Sequence, residues 1–185
     1  MIIGITGTLG AGKTTAANFL KSRGFIYESV RNFIAEEVEK RGLPMNRDTL
    51  VEIGNELRAE HGPAHIVAML CKRGAQEGKD IVIESIRAVG EAEEVKKHDG
   101  YILAVNANPR VRYERARMES NATTPGTFEE FIAQEEREMH SDDPTKQNIA
   151  AVMLRSDHQI LNNGTRTDLE YTIDEALKYL HNDIA

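Results

Sequence analysis

The stretch Gly7-Thr8-Leu9-Gly10-Ala11-Gly12-Lys13-Thr14 lies near the start of the chain, and the interpretation of the rest depends on it. Before it, residues 2–5 read Ile-Ile-Gly-Ile, a β-branched run typical of a buried strand. After it, apolar residues recur at helical spacing from 16 to 20, until Gly24 provides a helix stop. The sequence therefore predicts a strand, a glycine-rich loop and a helix, in that order.

This loop has the residue types needed to bind phosphate. It matches the pattern G-x-x-x-x-G-K-[ST] in full, at the junction of strand and helix where such a loop must lie. Glycines let backbone N–H groups turn towards anionic oxygens, and the following helix directs its positive end at them. We expect Lys13 to contact the β and γ phosphates and Thr14 to bind Mg²⁺. A plain strand-to-helix turn needs neither three glycines nor Lys-Thr at this offset. The predicted nucleotide-binding residues of the loop are Gly7, Thr8, Leu9, Gly10, Ala11, Gly12, Lys13, Thr14 and Thr15.

Strand and helix patterns alternate along the rest of the chain. Such alternation predicts a parallel sheet covered by helices on both faces, a three-layer α/β/α fold in one domain over residues 1–185. Further strands are predicted at 25–27, 81–83, 101–105 and 159–161, and helices at 30–40, 48–60, 63–77, 110–117, 128–139 and 169–180. Residues 119–127 have no apolar periodicity, so we predict a polar loop within a small helical lid at about 112–137.

Composition narrows the class of protein. Of the 185 residues, 40% are hydrophobic and 29% charged, which is typical of a globular chain. With 23 Lys and Arg against 30 Asp and Glu, the net charge of −7 disfavours nucleic acid as a partner. The apolar runs are far shorter than the roughly 20 residues of a membrane span. A single cysteine and no signal-peptide pattern favour a soluble cytoplasmic protein without a membrane partner, while the oligomeric state stays open.

Other P-loop classes fit the sequence less well than a small phosphotransferase. A Ras-type GTPase needs D-x-x-G and N-K-x-D motifs, and neither string occurs in the sequence. A large remodelling ATPase needs more chain and a strand ending in Asp-Glu, whereas the run at 81–83 is followed by Glu84-Ser85. Glu84 is a candidate for the water shell of Mg²⁺, with a structural carboxylate as the alternative.

Phosphoryl transfer requires cations that neutralise the charge on the moving group. Arg87 follows the third predicted strand, at the sheet edge where ligands bind in such folds. The alternative for Arg87 is a surface ion pair with Glu91, four residues on. Further candidates flank the predicted polar loop, for which a solvated helix face is the alternative; they are Arg112, Arg115, Arg117 and Arg137.

Several short motifs together resemble a known family. Beside the glycine loop stand Glu84-Ser-Ile-Arg87, Asn106-Ala-Asn-Pro109 with Arg112 and Arg115, the polar lid, and Asn162-Asn-Gly164-Thr165. Over nearly its whole length, the chain resembles the P-loop nucleoside monophosphate kinases. Among these, it is most similar to the branch that includes proteins like dephospho-coenzyme A kinase and archaeal adenylate kinase.

The resemblance implies roles for residues on both sides of the loop. Arg87 would grip the acceptor phosphate, and Arg115, with Arg112 or Arg117, would reach the donor phosphates from the lid. The segment Asn163 to Thr165, including Gly164, would lie near the donor base. The acceptor pocket would be lined by Ser29, Arg31 and Arg58. Alternatives stay open for two of these: Ser29 as a helix cap, and Arg58 in a surface pair with Glu56 or Glu60.

One departure from the family pattern bears on the acceptor. Relatives often place an Asp after the second strand, where this chain has Glu28, Ser29 and Asn32. A phosphate acceptor is already ionised near pH 7 and needs no catalytic base, whereas a sugar hydroxyl benefits from one. We therefore expect an ATP- and Mg²⁺-dependent kinase of a nucleoside or deoxynucleoside monophosphate. The alternatives are a dephospho-coenzyme A kinase and a non-catalytic nucleotide-binding regulatory protein.

Overall fold

The computed structural model describes residues 1–118 and 126–182, and their strands form one parallel sheet. The sheet has the spatial order β2-β3-β1-β4-β5, and each neighbouring pair is parallel. Its strands are β1 (Ile2–Thr6), β2 (Ile26–Ser29), β3 (Ile81–Glu84), β4 (Tyr101–Asn106) and β5 (His158–Leu161). Ile5 pairs with Glu84 on one side and with Leu103 on the other. The carboxyl ends of these strands therefore meet at one edge of the sheet.

Helices cover both faces of the sheet, as predicted. The described helices are α1 (Lys13–Ser22), α2 (Val30–Lys40), α3 (Arg47–His61), α4 (His65–Glu77), α5 (Val89–Lys97), α6 (Pro109–Met118), α7 (Phe128–Met139), α8 (Ile149–Leu154) and α9 (Arg166–Asn182). Successive side chains of a strand point to opposite faces. In β3, Ile81 and Ile83 pack with α2 to α5 and α8, whereas Val82 packs on the other face with α1 and α9. The three-layer α/β/α architecture is confirmed.

Capping residues explain where the helices begin. Ser29 accepts a hydrogen bond from the backbone N–H of Asn32 at 3.4 Å, so α2 starts at Val30 as predicted. The predicted start of α3 at residue 48 or 49 is slightly late, because Asn46 accepts from the N–H of Thr49 at 2.9 Å. Helix α4 starts two residues after Pro63. The six-residue helix α8 was not predicted, since it is too short to show a periodic pattern.

Helices α6 and α7 pack on each other beside the glycine loop. The Tyr113 ring makes edge contacts with Phe128 and Phe131, with centroids 5.5 and 5.6 Å apart, and Leu9 of the loop packs against the same cluster. Most of both helices falls in the lid predicted at about 112–137, but residues 119–125 of the predicted polar loop lie outside the described residues. None of the described helices is long and apolar enough to cross a bilayer.

The environment of Arg58 differs from the predicted surface alternative. Arg58 is fully buried, its Nε donates to Glu91 Oε1 at 2.8 Å, and its Nη2 lies 2.8 Å from the same oxygen. The other oxygen of Glu91 accepts from the N–H groups of Arg87 and Ala88, at 2.8 and 3.0 Å. A surface pair with Glu56 or Glu60 is therefore wrong. Glu91 instead joins α3 to the start of α5, just after β3.

Glu91→Gln is expected to lower the free energy of unfolding by about 3–5 kcal/mol, because it leaves the Arg58 charge buried without a counter-charge. Glu93→Gln, on an exposed position of the same helix, is the matched control and should change it by less than about 0.5 kcal/mol. Urea denaturation at pH 7 measures both. Equal losses in the two variants would show that the buried pair is unimportant.

Candidate functional site

The glycine loop is fixed by close backbone packing at the carboxyl edge of the sheet. Gly12 is the N-cap of α1, with φ of 98°, and a Cβ there would lie 2.4 Å from Nδ2 of Asn162. Gly7 has φ of 135°, and its Cβ would lie 1.9 Å from the carbonyl oxygen of Val105. Only glycine fits such contacts at these backbone angles. The loop thus lies directly before the positive end of α1, where an anion is stabilised.

Lys13 is held inside the cleft above this loop. Its side chain is mostly buried, and Nζ donates to the carbonyl of Thr8 at 2.6 Å. Burial, and then the charge of Arg87, lower the pKa of Lys13 to about 8, while Glu84 acts in the opposite direction. An ammonium has three donors, so those not used on Thr8 can bind an anion. The position of Lys13 is therefore suited to a phosphate, which would relieve its repulsion from Arg87.

The side chains of Thr14, at the start of α1, and Glu84, at the end of β3, are in contact. The Thr14 hydroxyl donates to Glu84 Oε1 at 2.8 Å, and the Tyr27 hydroxyl donates to Glu84 Oε2 at 2.5 Å. Burial and the hydrogen bond to Glu84 raise the pKa of Tyr27, which keeps that donor protonated. Among the described residues, no group of three or more His, Cys, Asp and Glu side chains is arranged so that it could hold a metal ion. Mg²⁺ usually takes only one or two protein carboxylates and completes its shell with waters and substrate phosphates, so this pair fits it.

A second cavity opens beside the cleft, between α2, α3 and the end of β3. Arg31, Arg58 and Arg87 line it, together with apolar side chains of α2 and α3. These arginines are thus brought together in space, and their role in binding an acceptor stays a prediction. Arg31 and Arg87 line the Lys13 cleft as well, so the two spaces adjoin. Ser29 is buried and serves as the N-cap of α2, which was the structural alternative for it.

Sequence reasoning missed the partners of Arg87. Its Nη1 donates to Glu138 of α7 and to Gln147 Oε1, the latter at 3.1 Å. Arg47 donates from Nε to the other oxygen of Glu138 at 2.8 Å. The predicted alternative, a side-chain pair of Arg87 with Glu91, is wrong, because only the backbone N–H of Arg87 reaches that carboxylate. Arg47 and Glu138 lie 91 positions apart, so no local pattern could have indicated their contact.

On the other side of the loop, Arg115 and the segment after β5 form the rim of a third cavity. Arg115 donates from Nη1 to the carbonyl of Asn162 at 2.8 Å and from Nη2 to that of Gly164 at 3.0 Å. Oδ1 of Asn163 accepts from the N–H of Asn108 at 2.7 Å. The cavity is lined by Gly10, Gly12, Thr15, Arg115, Met118, Asn162, Thr165, Arg166 and Leu169. The predicted donor-base segment therefore meets Arg115 and the loop in space.

Arg112 is not free to contact a ligand as predicted. Its guanidinium is buried and pairs with Glu135 through both terminal nitrogens, while Nε donates to the carbonyl of Ala107 at 2.9 Å. This buried ion pair ties α6 to α7. Arg117 lies over the Tyr113 ring at 5.6 Å, and Arg137 is exposed on α7. Of the arginines predicted around the polar loop, Arg115 is the one that lines a described cavity.

Comparisons with known proteins place the chain in a family. A family model described as an AAA domain matches residues 3–140. A UPF0200 protein of Pyrococcus horikoshii is 33% identical over 184 residues, covering 96% of each chain. A UPF0200 protein of Pyrococcus abyssi is 31% identical over 192 residues, covering 98% of this chain and 100% of the relative. The chain belongs to the AAA-domain and UPF0200 families.

Solved structures share the fold at low sequence identity. A crystal structure from Thermus thermophilus superposes with a TM-score of 0.65 at 23% identity, covering 97% of each chain. Shikimate kinase from Acinetobacter baumannii, in complex with shikimate, superposes with a TM-score of 0.60 at 17% sequence identity, covering 96% of this chain and 93% of the enzyme. The chain thus has a kinase-like P-loop fold. The specific kinase branch and the distinction from a remodelling ATPase stay predictions.

Asn162 is a further residue of this region, for which the sequence motif that it begins predicted no role. It is buried, and its Nδ2 donates to the carbonyl of Ala11 within the loop at 2.9 Å. The backbone N–H of Asn162 donates to the backbone carbonyl of Asn106 at 2.7 Å. Asn162 therefore joins the loop to the ends of β4 and β5.

Asn162→Leu should cost about 1–3 kcal/mol of folding free energy, because it leaves the buried Ala11 carbonyl without its donor. It should also weaken ATP binding, since the loop loses a support beside Gly12. Thermal denaturation and calorimetric titration with ATP measure the two effects. Gln76→Leu, at an exposed position of α4, is the control; an equal loss of stability or of ATP affinity in this control would contradict the assignment.

Proposed function

We propose that this protein is an ATP- and Mg²⁺-dependent kinase that phosphorylates a small acceptor bearing a phosphate, most simply a nucleoside or deoxynucleoside monophosphate. The observation that carries the proposal is the cleft shared by Lys13, Thr14, Arg31 and Arg87. It joins a phosphate-binding loop to an arginine-lined cavity at the carboxyl edge of the sheet. Such crevices are where ligands bind in open parallel α/β sheets.

On the donor side, the chain presents fixed positive groups to a triphosphate. The loop N–H groups and the N-terminus of α1 bind phosphate oxygens, and Lys13 adds a charge that moves little because its side chain is packed. Thr14 and Glu84 would hold Mg²⁺, which when bound neutralises charge on the donor phosphates. Arg115, at the rim of the third cavity, is placed to contact the donor from α6.

On the acceptor side, arginines and apolar side chains share one wall. Arg87, Arg47 and Arg31 provide cationic groups for an anionic acceptor, and Val30 and Leu50 provide apolar surface for a base or another flat group. Both oxygens of Glu84 already accept hydrogen bonds within the protein, from the hydroxyls of Thr14 and Tyr27. This favours an acceptor that is already ionised over one whose hydroxyl must be deprotonated.

Two alternatives remain. Several solved neighbours are shikimate kinases, so an acceptor hydroxyl, as in dephospho-coenzyme A, stays a candidate. A regulatory protein that binds nucleotide without transferring phosphate has the same loop. Formation of a phosphorylated product separates the regulatory alternative from both kinases.

Lys13→Met is expected to lower kcat by at least about a hundredfold, because the variant loses a charge directed at the transferring phosphoryl group. Circular dichroism should show an intact fold, since Met is close in length to Lys. Lys72→Met, at an exposed position of α4, is the control and should retain full kcat. Unchanged turnover in Lys13→Met would refute the role of the loop lysine.

An acceptor panel tests the substrate class. With ATP and Mg²⁺, we expect phosphoryl transfer to at least one nucleoside or deoxynucleoside monophosphate. In Arg87→Ala, the KM for that monophosphate should rise about tenfold or more, because a charged hydrogen bond is worth about 1.5–3 kcal/mol. Radiolabelled ATP and chromatography detect the products. Phosphorylation of dephospho-coenzyme A or shikimate, with no monophosphate phosphorylated, would overturn the proposed acceptor.

A further inference from the structure

Glu138 lies at the centre of the arginine-lined wall. Its two oxygens are bound separately: Oε1 accepts from Arg47 Nε at 2.8 Å and lies 2.7 Å from Arg47 Nη2, while Oε2 accepts from Arg87 Nη1. The Glu138 side chain is 9% exposed, with Arg47 and Arg87 at 14% and 18%. A carboxylate of α7 therefore fills a nearly enclosed position between two guanidinium groups.

The charges at this position do not balance. One carboxylate faces two guanidinium groups, and Gln147, the other partner of Arg87, is neutral. Burial alone would raise the pKa of Glu138, but Arg87 and Arg47 outweigh it and lower that pKa, while burial lowers the pKa of Arg47. A group with two negative charges would neutralise this pair of arginines better than Glu138 does.

This position adjoins the donor cleft. Arg47 and Arg87 line the same cleft as Lys13. Their charges lower the pKa of Lys13, and the charge of Glu138 raises it. An anion held between the two arginines would thus lie next to the group that faces the donor phosphates. Phosphate-to-phosphate transfer requires this arrangement of donor and acceptor.

We propose that the Glu138 carboxylate occupies the subsite of the acceptor's phosphate, and that a dianionic phosphate group displaces it from Arg47 and Arg87. The identity of this anion as the acceptor rests on the proposed kinase function, whereas the existence of the anion site does not. Binding then includes an exchange of one anion for another. Only molecules in which Glu138 has released the arginines can bind the acceptor. The apparent association constant is therefore the intrinsic constant multiplied by the fraction of such molecules.

Helix α7 remains attached when Glu138 is displaced. Glu135 lies one turn earlier on the same helix and keeps its buried pair with Arg112, and Phe131 stays packed on Tyr113. The exchange therefore changes the C-terminal turn of α7 and leaves its N-terminal half in place. Glu138→Gln is expected to fold for the same reason.

Inorganic phosphate is a direct probe of the subsite. Because the glycine loop also binds phosphate, the titrations use Lys13→Met as the background, with thermal denaturation at constant ionic strength reporting affinity. Adding Glu138→Gln should tighten phosphate binding about tenfold or more, since the arginines are then free of their internal anion. Adding Arg47→Gln to that variant should abolish the gain. Glu136→Gln, an exposed charge change on the same helix, is the matched control and should give no gain.

The outcomes separate this proposal from the kinase function. The titration needs neither a phosphate donor nor turnover. If the protein has no kinase activity but Glu138→Gln still tightens phosphate binding, the subsite is supported and the kinase function is refuted. Equal phosphate affinity with and without Glu138→Gln, or a gain that survives Arg47→Gln, would overturn the subsite. An equal gain for acetate would overturn its assignment to a dianion.

A second measurement uses the unmodified chain. Hydrogen exchange of residues 128–139 is followed at high phosphate concentration against chloride of equal ionic strength. Displacement of Glu138 should speed exchange in the last turn of α7 and leave the turn around Phe131 unchanged. Unchanged exchange in the last turn would count against the proposal independently of any variant.

Discussion

The close contact between the glycine loop and the ends of the central strands is the constraint on which the site depends. The carbonyl of Val105 lies where a side chain at position 7 would be, and Asn162 lies where one at position 12 would be. Parallel register brings the ends of β1, β3 and β4 to one edge, so this tight bend, Glu84 and Arg87 meet there. Without that packing, Lys13 and the first turn of α1 would not face a common cleft.

Paired charges organise the rest of the site in a chain whose net charge is −7. Arginines near the cleft are held by carboxylates from distant helices: Arg58 by Glu91, Arg112 by Glu135, and Arg47 and Arg87 by Glu138. The Arg58–Glu91 pair is fully buried and joins α3 to α5, and the Arg112–Glu135 pair joins α6 to α7. The third lies on a cavity wall, where an incoming anion can compete with the carboxylate. The same chemistry thus supports the fold in two places and controls access to a ligand site in the third.

Much of the fold and part of the site could be predicted from local patterns. The strand order within the chain, the start of α2 at Val30 and the position of the phosphate loop follow from periodicity, caps and glycines over a few residues. The roles of Arg58 and Arg112 could not be predicted, because their partners come from other helices. Ser29 illustrates the difference, since its cap is a contact three residues away and appears in the sequence.

By itself, the sequence determined the phosphate loop, the alternation of strands and helices, and the candidates Lys13, Thr14, Glu84, Arg87 and Arg115. Only the tertiary structure decided which arginines line a cavity and which carboxylates hold them. It also brought Arg47, Glu138 and Asn162 to the site. The physical reason is range: backbone hydrogen bonding and helical periodicity act between near neighbours in sequence, whereas an ion pair such as Arg47 with Glu138 forms only after packing has brought α3 and α7 together.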